Sequence, residues 1–137
     1  MLRVILDTNV IVSAFLNRKS KSAEIIKKWA EGYFDIVFSL AIMEEYSSIL
    51  VFKNIDSDLI RNLIGQLVKY AKFVTPRNKL DIVKEDSDDN KFFECAVEGK
   101  AQYIVSYDKH LLKVKNYKNI KVLTIHKFLK MLDRIHI

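Results

Sequence analysis

Short, continuously apolar runs rich in β-branched residues alternate along this chain with stretches in which apolar residues recur every three or four positions. The first pattern is that of a strand buried on both faces and the second that of an amphipathic helix. Their alternation predicts a parallel sheet with helices on both sides. Only three Gly and one Pro occur in 137 residues, which excludes collagen-like and low-complexity chains and leaves regular elements joined by short loops. A chain of this length buries about two thirds of its extended surface and needs no staple for its core. Its single cysteine, Cys95, reads as a core residue and fits a reducing compartment. One domain over residues 1–137 is expected, with no room for a second.

The run Arg3-Val-Ile-Leu-Asp7 reads as a buried strand that breaks into the polar Asp7-Thr8-Asn9, with an apolar stretch from Val10 to Leu16 after it. Ser20 to Ala30 reads as an amphipathic helix closing near Gly32, with Trp29 and Tyr33 as packing residues. Phe34 to Ser39 predicts a second strand, followed by a helix carrying Ile42, Met43, Tyr46, Ile49 and Leu50. Asp56 or Ser57 caps a long helix running to about Phe73, with Leu59, Ile60, Leu63, Ile64, Leu67, Val68 and Ala71 as its inner stripe. Past Pro76 a polar stretch ends in Asp86-Ser-Asp-Asp-Asn90, which opens a helix stopped by Gly99. Ala101 to Ser106 and Ile120 to Thr124 are the third and fourth strands, and His126 to Ile135 the last helix. The whole is a three-layer α/β/α fold with a central parallel sheet of four or five strands, whose ligand site falls beyond the strands' carboxyl ends.

Two of those strands end at a carboxylate, Asp7 after the first and Asp108 after the third. Glu45 lies on the helix after the second strand, at the border of the face centred on Tyr46, with Glu44 nearly opposite at about 100° per residue. Asp89 precedes Phe92, Phe93 and Ala96 by three, four and seven positions, so it stands above the buried stripe of its helix. Asp86 and Asp88 are left to face water or cap. Taken singly each acid fits an ordinary role, in a turn, a cap, a loop or on the surface. Gathered at one sheet edge they repel unless a cation or a proton separates them. An all-oxygen set with no converging His or Cys suits Mg2+ or Mn2+. His110, His126 and His136 are scattered and read as surface or capping residues. Asn9, Ser39, Asn90 and Ser106 are placed to orient the carboxylates or a water.

The chain carries 23 Lys and Arg against 17 Asp and Glu, a net charge of +6. Setting the four clustered acids aside leaves 13 against 23. A basic surface around an acidic pit suits a phosphodiester backbone. No signal-like opening and no apolar run of membrane-spanning length occurs, so a cytoplasmic protein with no membrane partner is expected.

On these residues the sequence resembles the PIN-domain nucleases, and among them the VapC-like toxins of toxin–antitoxin pairs. Val4-Ile-Leu-Asp7-Thr-Asn-Val10 with Ser13 is similar to the family's first motif, and Ser39-Leu-Ala-Ile-Met-Glu-Glu45-Tyr46 to the second. Asp86-Ser-Asp-Asp89-Asn90 with Phe93 and Ala96 resembles the third, and Tyr103-Ile-Val-Ser106-Tyr-Asp108-Lys-His110-Leu111-Leu112 the fourth. The likeness spans Val4 to about Leu129. It implies Mg2+- or Mn2+-dependent hydrolysis of RNA, with Asp7, Glu45, Asp89 and Asp108 binding one or two ions and Asp86 in a secondary place. It also implies a homodimer and an antitoxin that occupies the groove. Many relatives carry an acid where this chain has His110, which leaves open a non-catalytic PIN-like RNA-binding or scaffold domain with a decayed metal site. A phosphatase of the haloacid-dehalogenase type is weaker, since Asn9 replaces its second acid, and a nucleotide-binding module lacks its Gly-rich loop. Tyr107, beside Asp108, is a candidate to touch a nucleotide.

Overall fold

A computed structural model describes residues 1–135; His136 lies outside the described residues. The strand β1 (Arg3–Leu6) runs through Asp7 straight into α1 (Thr8–Leu16). After it comes α2 (Lys21–Ala30), capped by the Ser20 hydroxyl, which accepts from the Ala23 amide. Gly32, at φ +86, turns the chain towards β2 (Asp35–Phe38). Ser39 then caps α3 (Leu40–Phe52), and Asp56 caps α4 (Ser57–Tyr70), which leads to β3 (Lys72–Phe73). A loop through Pro76 reaches a 3-10 turn (Ser87–Asp89) and α5 (Asn90–Gly99). The remainder is β4 (Tyr103–Val105), α6 (Lys109–Val114), β5 (Asn116–Tyr117), β6 (Ile120–Leu123) and α7 (Ile125–Ile135).

The sheet has the order β3-β2-β1-β4-β6-β5 and is parallel except for β5, which runs antiparallel to β6. Val4, Ile5 and Leu6 are all fully buried, which requires cover on both faces and makes the domain three-layered. The α5 helix packs over β1, β2 and β4, while α1 packs against α2 and α3. Gly99 permits the close approach of α5 to β2, since a Cβ there would lie 2.4 Å from Val37 Cγ1. From β1 the chain steps outward to β2 and β3 and then returns to β4 on the other side of β1. In an open parallel sheet that reversal leaves a crevice beyond the carboxyl ends. Here β1 and β4 end side by side, with Leu6 opposite Val105. The buried Tyr46 of α3 donates its hydroxyl to the Leu6 carbonyl, fastening α3 to the same place.

The sheet has six strands where four or five are expected, because β3 and β5 are two-residue edge strands. Such strands exist only through their pairing with β2 and β6 and leave no periodic trace in the sequence. The helix expected to reach Phe73 stops at Tyr70, and Phe73 instead packs edge-on against Phe38 at 5.4 Å between ring centres. Val68, expected on the inner stripe of that helix, is exposed. A sixth helix, α6, stands where none is expected. No helix among the described residues is long and apolar enough to cross a membrane.

Candidate functional site

The crevice between β1 and β4 is built by backbone pairing. The Asp7 amide donates to the Val105 carbonyl and the Ser106 amide to the Leu123 carbonyl, both at 3.0 Å, so each strand's ladder continues one residue past its end. This sets Asp7 and Ser106 side by side, both buried. The Ser106 hydroxyl donates to Asp7 Oδ2 at 2.6 Å and accepts from the Asp108 amide at 2.8 Å. One hydroxyl thereby orders both acids. Asp7 stands at the N-cap of α1 without capping it through its side chain. Burial raises its pKa against the opposing pull of Ser106, and the charges of Asp108 and Glu45 raise it further. Asp108 caps α6 by accepting from the His110 amide at 2.7 Å, and the exposed His110 ring lies 3.9 Å from the same oxygen.

Glu45 enters from α3. It is partly buried while Glu44 is exposed, because the Tyr46 anchor turns that helix face towards β1. Thr8 donates its hydroxyl to Glu45 Oε2, and Lys91 Nζ lies 2.7 Å from Glu45 Oε1. Neither Thr8 nor Lys91 stands out in the sequence. Thr8 is overshadowed by Asp7 and Asn9 in the same motif, and a lysine in a helix ordinarily reads as solvated.

Asp89 is buried at the join of the 3-10 turn and α5. Its Oδ2 is enclosed and has no hydrogen-bond partner. Burial lifts its pKa from 3.8 to about 7, helped by the charges of Asp86, Asp108 and Asp7 and opposed by Lys91. The charges of Asp108 and Asp7 are among the causes that raise Asp89, and those of Asp108 and Glu45 among the causes that raise Asp7, so these acids stand within electrostatic reach of one another. Asp86 is exposed and caps the turn through the Asp88 amide, while Asp88 is exposed and paired with Lys91.

The neutral helpers sort differently from the expectation. Ser106 orients Asp7 and Asp108. Asn9 is exposed on α1 and hydrogen-bonds none of the four acids. Buried Asn90 turns away from them: its Oδ1 accepts from the Ile82 and Val83 amides at 2.8 and 2.7 Å, and its Nδ2 donates to the Val83 and Ser87 carbonyls. With every site on that amide engaged, it holds the loop in front of Asp89 and orients no carboxylate. Ser39 is a helix cap. Thr8 takes the place given to Asn9 because its short hydroxyl, buried on α1, is what faces α3.

Hard oxygen donors with one enclosed, unpartnered carboxylate oxygen fit a divalent cation, since native folds rarely leave a buried polar atom unpaired. Among the described residues, no three His, Cys, Asp or Glu side chains already stand in metal-holding geometry. A cavity of about 460 Å³ between Met1, Trp29, Asp35 and Tyr70 lies at the amino ends of the strands and holds none of the four acids. Tyr107 is half exposed beside Asp108, and its hydroxyl is tethered 3.0 Å from buried Ser22.

The family profile described as PIN domain matches residues 3–110. The chain is 29% identical over 139 residues to the uncharacterized protein MJ1680 of Methanocaldococcus jannaschii, covering 91% of this chain and 83% of that one. Its fold is similar to a chain of VapBC2 from Rickettsia felis, solved bound to a DNA fragment from their promoter (TM-score 0.60, 14% identity, 90% of this chain and 98% of that chain). It is equally similar to a chain of VapBC-1 from nontypeable Haemophilus influenzae (TM-score 0.60, 14% identity, 91% and 99%). The T. brucei RRP44 PIN domain matches at TM-score 0.55 and 16% identity, over 98% of this chain and 83% of that chain. With the profile matching residues 3–110 and the fold shared over nine tenths of its length, this chain belongs to the PIN domain family.

Proposed function

We propose that this PIN domain is a divalent-metal-dependent endoribonuclease and the toxin of a toxin–antitoxin pair. The observation that carries this reading is Asp89 Oδ2, an enclosed carboxylate oxygen without a partner, within electrostatic reach of Asp7 and Asp108. Asp7, Glu45, Asp89 and Asp108 would hold Mg2+ or Mn2+, with Asp86 in a secondary place. An ion so held supplies Lewis acidity towards a phosphodiester and makes a water a stronger acid.

The chain's own part is positioning. Ser106 aims Asp7 and ties down the Asp108 backbone, Thr8 holds Glu45, and Asn90 keeps the loop beside Asp89 in place. No side chain need act as nucleophile, and burial pushes the Cys95 thiol up to about 12, which keeps it an inert core group. In-line attack by water at phosphorus, with the 3′ oxygen leaving, yields 5′-phosphate products. The basic surplus of the chain supports RNA as substrate, and the half-exposed ring of Tyr107 would be the one to meet a base. The fold shared with chains of two VapBC assemblies supports an antitoxin partner. A homodimer of single domains spanning residues 1–137, acting in the cytoplasm, completes the reading.

Single-stranded RNA incubated with the protein and Mn2+ is expected to give 5′-phosphorylated fragments. Asp7→Asn should give none while its circular dichroism matches wild type. Full activity of that variant with the fold intact overturns the role of Asp7. Absence of Mn2+ binding in calorimetry of the wild type would place the chain with non-catalytic PIN-like RNA-binding or scaffold domains, the alternative that His110 leaves open.

A further inference from the structure

Lys91 is the one lysine or arginine among the described residues that is ion-paired to any of the four acids. Its ammonium donates to Glu45 Oε1 at 2.7 Å, to Asp88 Oδ2 at 2.8 Å and to the Asp88 carbonyl at 3.2 Å, so all three protons are engaged. The side chain is only 11% exposed and its ammonium lies 5.1 Å from the centre of the Phe92 ring. Lysine is rarely enclosed to this degree. It also stands in the first turn of α5, where the helix dipole disfavours a cation. Neither burial nor helix position explains the placement; the surrounding carboxylates do.

We propose that Lys91 is a built-in counter-cation of the acidic site, which a divalent ion must displace from Glu45 before that carboxylate can act together with Asp7, Asp89 and Asp108. This rests on the reading of those acids as metal ligands. The exchange is easy in structural terms. Leaving Glu45 breaks one of three hydrogen bonds, since Asp88 holds the ammonium through the other two, and Thr8 keeps its bond to the far oxygen of Glu45. Before the ion arrives, Lys91 gives a partly buried Glu45 a counter-charge within electrostatic reach of Asp7. Once the ion is present, the same ammonium is a competitor. The site thus trades an internal cation for an external one, and Lys91 sets how much divalent ion is needed.

The test is Mn2+ calorimetry on the full chain without RNA. Lys91→Met is expected to tighten Mn2+ binding by about tenfold or more, from loss of a positive charge in contact with a ligand. Lys91→Arg should weaken it, because a guanidinium grips a carboxylate through two bonds. The exposed Lys79→Met, which removes a screened charge, should change it by less than about twofold. A second measurement needs no variant: acetylation of the Lys91 amine in the wild type, followed by mass spectrometry, should quicken several-fold when saturating Mg2+ releases it from Glu45. Unchanged Mn2+ affinity in Lys91→Met, or unchanged labelling should that variant not fold, overturns the inference. If Mn2+ binding is at the same time lost in Asp89→Asn, the metal-site reading stands without it; if the wild type binds no Mn2+, both fall.

Discussion

The acidic candidate site has two walls of different construction. One is made of strand ends, where Asp7 and Asp108 inherit their positions from the β1–β4 ladder and one buried Ser106 hydroxyl donates to the Asp7 carboxylate and accepts from the Asp108 backbone amide. The other is made of a turn, a loop and the start of a helix, where one Asp89 oxygen is enclosed without a partner and the segment around it is held by side chains, Asn90 on the loop and Asp86 and Lys91 on the turn. The first wall is ordered by the sheet whether or not anything binds. The second is held in an arrangement that raises its own electrostatic energy, and it is where a ligand has most to offset. Stability and function are thus unevenly shared, as expected where a site is charged against its own fold.

The largest effect should follow from Asp89→Asn. Loss of the unpartnered carboxylate should weaken Mn2+ binding and RNA cleavage by more than the roughly 10–100-fold that loss of an outer partner costs. The same change should stabilise the protein in chelator. Asp89 titrates near 7 in the fold against 3.8 ordinarily, so its contribution to stability is full below about pH 4 and is lost as pH rises through about 7. The variant should therefore gain about 1–3 kcal/mol over wild type at pH 8 and little at pH 4 in urea titrations. An equal difference at both pH values would mean that the second wall is not electrostatically loaded.

Asn90→Ala should cost about 2–3 kcal/mol, since it unpairs the Ile82 and Val83 amides. Hydrogen exchange should speed up at those two amides and stay unchanged at the Asp7 amide, which belongs to the other wall. Ser106→Ala should cost about 1–2 kcal/mol and weaken Mn2+ binding by about tenfold. Cleavage unchanged in this variant would show that the strand ends alone orient Asp7. Lys84→Ala, which removes an exposed pair with Asp81 in the same loop, should shift stability by less than about 0.5 kcal/mol.

Much of the placement of these acids was legible in the sequence. Apolar runs that stop at a carboxylate mark the strands whose ends carry Asp7 and Asp108, and helical spacing alone separates buried Asp89 from exposed Asp86 and Asp88, and partly buried Glu45 from exposed Glu44. What escaped depends on partners far away along the chain. Lys91 looks like any surface lysine until α3 delivers Glu45 to it across 46 positions. Thr8 shows its purpose only when α1 packs against α3. Asn90 sits beside an acid in the sequence and turns its amide to a loop that carries no periodic signal. The strands β3 and β5 are two residues each and exist because a neighbour offers an edge.

Period and residue type by themselves determined the main strands and helices, that the sheet is mainly parallel, and which carboxylates stand at the carboxyl ends of its strands. These are local consequences of where apolar side chains must hide. Only the folded chain decided which groups satisfy those carboxylates and which oxygen goes without. Hydrogen bonds and ion pairs act over about 3 Å, and no pattern along one dimension reports a contact that short between residues so far apart.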